Sequence, residues 1–142
     1  MLTTVLVALG DAAQAVEVLE SLDHLKLMAT SQVILVHVVA APDWEAPVDK
    51  PQGVLEAEQG QVEAWFRDCR QHLPCPCDLE VVHGDPAEEI LRLAQIHQAS
   101  LIVLGSRGLK GMTRIMQGSV SAQVVADAPC AVLVVKSRSD QP

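Results

Sequence analysis

Four apolar stretches that do not alternate with polar residues limit what this chain can become. They are Thr3 to Leu9 (TTVLVAL), Gln32 to Val39 (QVILVHVV), Ser100 to Leu104 (SLIVL) and Ala131 to Val135 (AVLVV). A strand with one wet face carries polar side chains at every second position, so a run without that period must be covered on both faces. Between these runs the apolar spacing becomes helical. It passes through Ala15, Val18, Leu19, Leu22, Leu25 and Met28, within Ala12 to Met28. It returns through Leu55, Val62, Trp65 and Phe66, within Val54 to Leu73. Cys77 to Val82 reads as a further strand, and Pro86 to about His97 as a helix. That helix has Asp85 as its cap, Pro86 in first position, and Glu88 and Glu89 near its positive end. A last helix bears Val120, Val124 and Val125, capped by Ser119 and stopped before Pro129.

Strands joined by helices imply an α/β fold, a doubly wound five-stranded parallel sheet with helices on both faces. The commonest order for this pattern is 3-2-1-4-5. With 142 residues and no repeat or linker, residues 1–142 read as one domain. Ala40 to Gly53, with Pro42, Pro47, Pro51 and Trp44, reads as a long irregular connection. Trp44 is either a lid over a ligand or a surface residue; Trp65, on a helix face, reads as core.

Leu101 to Val120 (LIVLGSRGLKGMTRIMQGSV) carries the chemistry. The apolar run ends at Leu104, and glycines follow at Gly105, Gly108, Gly111 and Gly118. Arg107, Lys110 and Arg114 lie among them with no carboxylate. Glycine has no Cβ to keep a ligand from the main-chain N–H groups, and a helix start adds free donors and a positive dipole end. This predicts a phosphate cradle. In the order 3-2-1-4-5 the ligand crevice lies where strand order reverses, between strands 1 and 4. Its rims are then Leu9-Gly10-Asp11 and Gly105 to Gly108. Neither G-x-x-x-x-G-K-[ST] nor G-x-G-x-x-G is present, against a P-loop NTPase or a nicotinamide enzyme.

The net charge of −8 argues against a general nucleic-acid or anionic-membrane surface. No apolar run reaches the roughly 20 residues that span a bilayer, and the start has no cationic segment, so a cytoplasmic protein is expected. Cys69, Cys75, Cys77 and Cys130 read as reduced thiols, because Cys75-Pro76-Cys77 lacks the spacing of a redox pair or zinc knuckle. His37 and His83 read as structural. No triad, acid–base pair or metal-ligand set is assigned.

Gly105-x2-Gly108-x9-Gly118-Ser119 resembles the G-2x-G-9x-G-[S/T] pattern of ATP-binding members of the universal stress protein family. Val33 to Val38, His83-Gly84-Asp85-Pro86 with Glu89-Ile90, and Pro129 to Lys136 are similar to that family's second strand, third-helix start and last strand. The resemblance implies an adenine nucleotide alpha hydrolase-like sheet and ATP, with magnesium, as ligand. It places Gly105, Arg107 and Gly108 along ribose and phosphate, and Leu104 at the end of the strand that leads to them. Gly118, Ser119 and Val120 would offer donors to the phosphates, and Val38 would lie near the adenine. Ala8-Leu9-Gly10 stands where the family usually has a Pro-x-Asp-like turn. Asp11, one residue later, either takes the acidic role or only caps the first helix. The resemblance also implies a homodimer through residues 131–135, a bare apolar edge strand. The function implied is a nucleotide-dependent stress regulator. The alternatives are a slow ATP hydrolase, a dimeric interaction module with a weakened nucleotide site, or a flavin protein.

Overall fold

The computed structural model describes residues 3–10, 12–40, 52–106 and 114–136. In chain order the elements are β1 (Thr4–Leu9), α1 (Ala12–Ser21), β2 (Gln32–Ala40), α2 (Gln52–His72), β3 (Cys77–Gly84), α3 (Pro86–Ile96), β4 (Leu101–Gly105), α4 (Arg114–Asp127) and β5 (Ala131–Val135). The five strands form one sheet in the order β3-β2-β1-β4-β5, and all neighbours run parallel. The chain first winds outward from β1 to β3, then crosses back to β4 and winds the other way. Because each crossover between parallel strands is right-handed, that reversal puts the helices on opposite faces.

Burial on two faces explains the unbroken apolar runs. Val5, Val7 and Leu9 of β1, Val33 and Leu35 of β2, and Leu101 and Val103 of β4 face one layer, against Ala15 and Val18 of α1 and Val62, Trp65 and Cys69 of α2. The alternate residues Leu6, Ala8, Ile34, Val36, Ile102 and Leu104 face the other, against Ile90 and Leu93 of α3 and Val120 and Val124 of α4. Trp65 is core, as its spacing predicts. Cys69, Cys75 and Cys77 are buried free thiols of the first layer. Hydrogen bonding between Cys69 and Cys77 holds the Cys69 thiol below its ordinary pKa and pushes that of Cys77 up. Trp44 lies outside the described residues.

Two helices differ from their sequence reading. The apolar spacing continues to Met28, yet α1 stops at Ser21, and Leu22–His24 form one tighter turn that ends with Leu25 in extended backbone. The Ser31 hydroxyl accepts from the Met28 N–H at 3.0 Å, which organises the turn into β2. Leu22 is still buried and Leu25 and Leu27 still pack on the core, so burial is met without a longer helix. At α4 the correction is larger. Ser119 does not cap it, because the helix already begins at Arg114. Arg114, Met116 and Gln117 are good helix formers, and one interior glycine, costing about 1 kcal/mol against alanine, does not stop them. The α3 start matches its reading: Asp85 accepts from the Glu88 N–H at 3.0 Å, with Pro86 in the first turn. Such a cap contributes about 1 kcal/mol.

The central strands are joined unevenly. Near their N-terminal ends the Thr4 carbonyl accepts from the Ser100 N–H at 2.8 Å and from the Ser100 hydroxyl at 3.0 Å. Ladder pairing of β1 with β4 then runs from Val5↔Leu101 to Val7↔Val103 and stops. Beyond that point β1 stays paired to β2 through Leu9↔His37, and β4 to β5 through Gly105↔Val135. Each central strand follows its outer neighbour, so the sheet forks over the last two residues of β1 and β4.

Candidate functional site

The fork opens into a small crevice lined by Ala8, Gly10, Gln14, Ile90, Leu104, Gly105 and Val120. It lies at the carboxyl ends of the strands where the winding reverses, the position that open α/β sheets use for ligands. One helix of the first layer and two of the second meet there. β1 ends at the crevice and α1 leaves it, while β4 ends on the opposite side with α3 and α4 behind. The walls are apolar or glycine except for Gln14, in the first turn of α1, whose side chain is only 3% exposed.

Gly105 and Gln14 share one volume. A Cβ built on Gly105 would press into Cγ and Cδ of Gln14 and lie 2.7 Å from its Nε2. The missing side chain at 105 therefore serves a close approach. Its φ is not in the left-handed region, unlike that of Gly84 at +148°. His37 fixes the outer side of the fork. Its ring Nδ1–H donates to the Leu9 carbonyl at 3.2 Å, across the β1–β2 pairing. His83 is exposed on the edge strand β3.

Of the site residues expected from sequence, Ala8, Gly10, Leu104, Gly105 and Val120 come together in the crevice wall. Leu9 does not turn its side chain there: it is fully buried in the opposite layer, as strand alternation requires. Val38 packs in the same layer as Ala8, Leu104 and Val120 without lining the crevice. Asp11, Arg107 and Gly108 lie outside the described residues. Gly118, Ser119 and Val120 lie past the first turn of α4, where main-chain N–H groups enter the helical ladder and are not spare donors. Gln14 and Ile90 escaped the sequence reading. A lone glutamine on a helix carries no motif, and Ile90 reads only as core.

None of the described lining residues has a titratable side chain. Among the described residues no cluster of three or more potential ligands could hold a metal ion. No described helix is long and apolar enough to cross a membrane. The walls enclose about 10 Å³, room for a single water molecule, with one carboxamide among apolar and glycine surfaces.

A family model for the universal stress protein family matches residues 1–136. The chain is 30% identical to universal stress protein Sll1388 of Synechocystis sp. over 93% of its own length and 96% of that protein. Its fold is similar to that of the universal stress protein UspA from Lactobacillus plantarum, at 27% identity and a TM-score of 0.68, covering 94% of this chain and 97% of that one. It is also similar to a universal stress protein family protein from Arabidopsis thaliana with AMP bound. There the identity is 22% and the TM-score 0.67, over 97% of this chain and 94% of that one.

Proposed function

Because the chain belongs to the universal stress protein family, we propose that the fork between β1 and β4 binds an adenine nucleotide, ATP with magnesium. In this reading the protein is a cytoplasmic regulator whose shape or partner choice follows the bound nucleotide. The observation that carries the reading is the early end of β1–β4 pairing at Val7↔Val103, which brings Ala8, Gly10, Leu104, Gly105 and Val120 around one opening. A structural relative holds AMP. The donor set fits such a ligand in two parts. The apolar wall of Ala8, Leu104 and Val120 suits the base and sugar. The phosphates would continue toward Arg107 and Gly108, which follow β4 in the chain, and toward the positive end of α4 at Arg114. Leu9 and Val38 would contribute through their main chains, and Asp11, Gly118 and Ser119 would border the phosphate side. Bound magnesium would neutralise part of the phosphate charge.

Calorimetric titration with ATP, ADP, AMP and GTP tests this. Saturable heat is expected with the adenine nucleotides, and no heat with any of them would refute the reading.

β5 lies at the edge of the sheet, and its four valine and leucine side chains, Val132 to Val135, are half-buried. An edge strand with apolar side chains and open main-chain groups is a template for another chain. We infer a homodimer through residues 131–135. Sedimentation should give twice the chain mass of 15.2 kDa. Val134→Glu, checked for folding by circular dichroism, should sediment as monomer; a folded variant that remains dimeric would exclude this interface.

A further inference from the structure

Independently of the nucleotide reading, we propose that Cys69 and Cys77 form a reversible oxidation site, which a peroxide converts to an intramolecular disulfide between the end of α2 and the start of β3. The two thiols come from different elements and meet in one layer of the core, 5% and 7% exposed. They face each other: the Cys77 thiol donates a hydrogen bond to the Cys69 sulfur. This is not the pair adjacent in sequence, Cys75-Pro76-Cys77, and it exists only once α2 lies on β3. The site is shallow. Asp68, Arg70, His72, Pro74, Pro76 and Asp78 around it are exposed, and β3 is an edge strand. Cys69 sits in the last turn of α2, where its carbonyl accepts from the Leu73 N–H at 2.9 Å. Final helix turns open at little cost in free energy, so a molecule as small as a peroxide reaches the sulfur there while the sheet stays closed. The strand side is held, because the Val33 N–H donates to the Pro76 carbonyl at 3.0 Å.

The two sulfurs are not equivalent. Accepting the hydrogen bond keeps Cys69 below the ordinary thiol pKa, whereas Cys77, the donor, is pushed up, and burial pushes up Cys75 and Cys130. The thiolate is the nucleophile, so Cys69 reacts first. Its sulfur attacks one oxygen of hydrogen peroxide: the S–O bond forms, the O–O bond breaks, and hydroxide leaves to be protonated by solvent. Cys77 then attacks the sulfenic sulfur. The S–S bond forms, the S–O bond breaks, and the oxygen leaves as water with the Cys77 proton. The peroxide takes two electrons in all, and a small dithiol returns them. Closing the bond draws the sulfurs from hydrogen-bond contact to about 2 Å. The ring so formed fastens the last turn of α2 to the edge strand.

The test uses the full chain, reduced and then treated with a small excess of hydrogen peroxide. The remaining thiols are blocked with N-ethylmaleimide after denaturation and counted by mass spectrometry. Of the four thiols, two should be lost without joining one chain to another, and dithiothreitol should restore them. Trypsin cuts after Arg67, Arg70 and Arg92, so the peptide Asp68–Arg70 should be found linked to Gln71–Arg92. Fragmentation should place the link at Cys77. Four blocked thiols after treatment would show inert core cysteines and overturn the proposal, as would a link through Cys75 or Cys130. The order of reaction is read from variants checked for folding by circular dichroism. In Cys77→Ser the sulfenic acid has lost its partner, and dimedone should label Cys69. In Cys69→Ser dimedone should leave Cys77 unlabelled. Label on Cys77 there, or none on Cys69 in the first variant, overturns the proposal. Should the variants fail to fold, the cross-link map of the wild-type protein decides: a Cys69–Cys77 link sustains the proposal and any other pattern refutes it.

Discussion

Gly105→Val should both destabilise the protein and abolish nucleotide binding, and Gly105→Ala should do the same to a lesser degree. The cause is steric. The φ of Gly105 suits any residue, but a Cβ there meets Cγ and Cδ of Gln14, which is itself buried. Gln14 cannot yield freely, because Ala8, Leu104 and Val120 stand around it in the same crevice. Overpacking of this kind costs about 1–3 kcal/mol. In a chain of this size each kcal/mol lowers the melting temperature by roughly 2–4 °C. Valine adds two methyl groups in the direction of the opening and should fill it. The companion experiment is Gly105→Ala with Gln14→Ala. If the two side chains compete for one volume, the double variant should recover most of the stability lost by Gly105→Ala. That appears as a coupling of about 0.5–3 kcal/mol in a double-mutant cycle. Additive losses would show that the strain lies elsewhere.

Ile102→Ala should have the largest effect on stability without touching the crevice. Ile102 is fully buried near the middle of β4, in register with Leu6 of β1 and Val132 of β5. It packs in the layer that holds Ile34, Ile90 and Val124. Three carbons removed from such a place leave a cavity between a sheet and two helices. The expected cost is about 2–5 kcal/mol. Urea unfolding should show a lower midpoint with an unchanged slope, since the surface exposed on unfolding hardly differs. Val81→Ala on the edge strand, where the side chain is 44% exposed, should stay within about 0.5 kcal/mol. Equal losses at the two positions would contradict the layer assignment.

The strands were legible because burial on both faces leaves apolar runs without period, here short, rich in β-branched residues and bounded by turn residues. Val33 to Val36 read that way, and they divide between the two layers as Val33 and Leu35 against Ile34 and Val36. The cap at Asp85 was legible because it depends on neighbours three residues apart. Helix ends that depend on tertiary packing were not. Leu22 and Leu25 keep the helical spacing past Ser21 because they are buried from a turn, and spacing does not distinguish a turn from a helix there. The start of α4 was misplaced for the opposite reason. Gly118-Ser119 has the composition of a helix start, but the stronger helix formers precede it. At the site, the glycine at 105 was legible as a position of close approach, though not what approaches. The partner is a side chain 91 residues earlier in the chain, on a helix that packs there only once β1 and β4 are neighbours.

The uneven stitching of the central strands has a kinetic consequence. Ser100 clamps one end of the β1–β4 seam, and the other end is already apart in the native fold. A guest entering there breaks no rung of the β1–β4 ladder, but it must repack the buried side chains that line the fork, Gln14, Ile90, Leu104 and Val120. Association should then be limited by that repacking rather than by a parting of the strands.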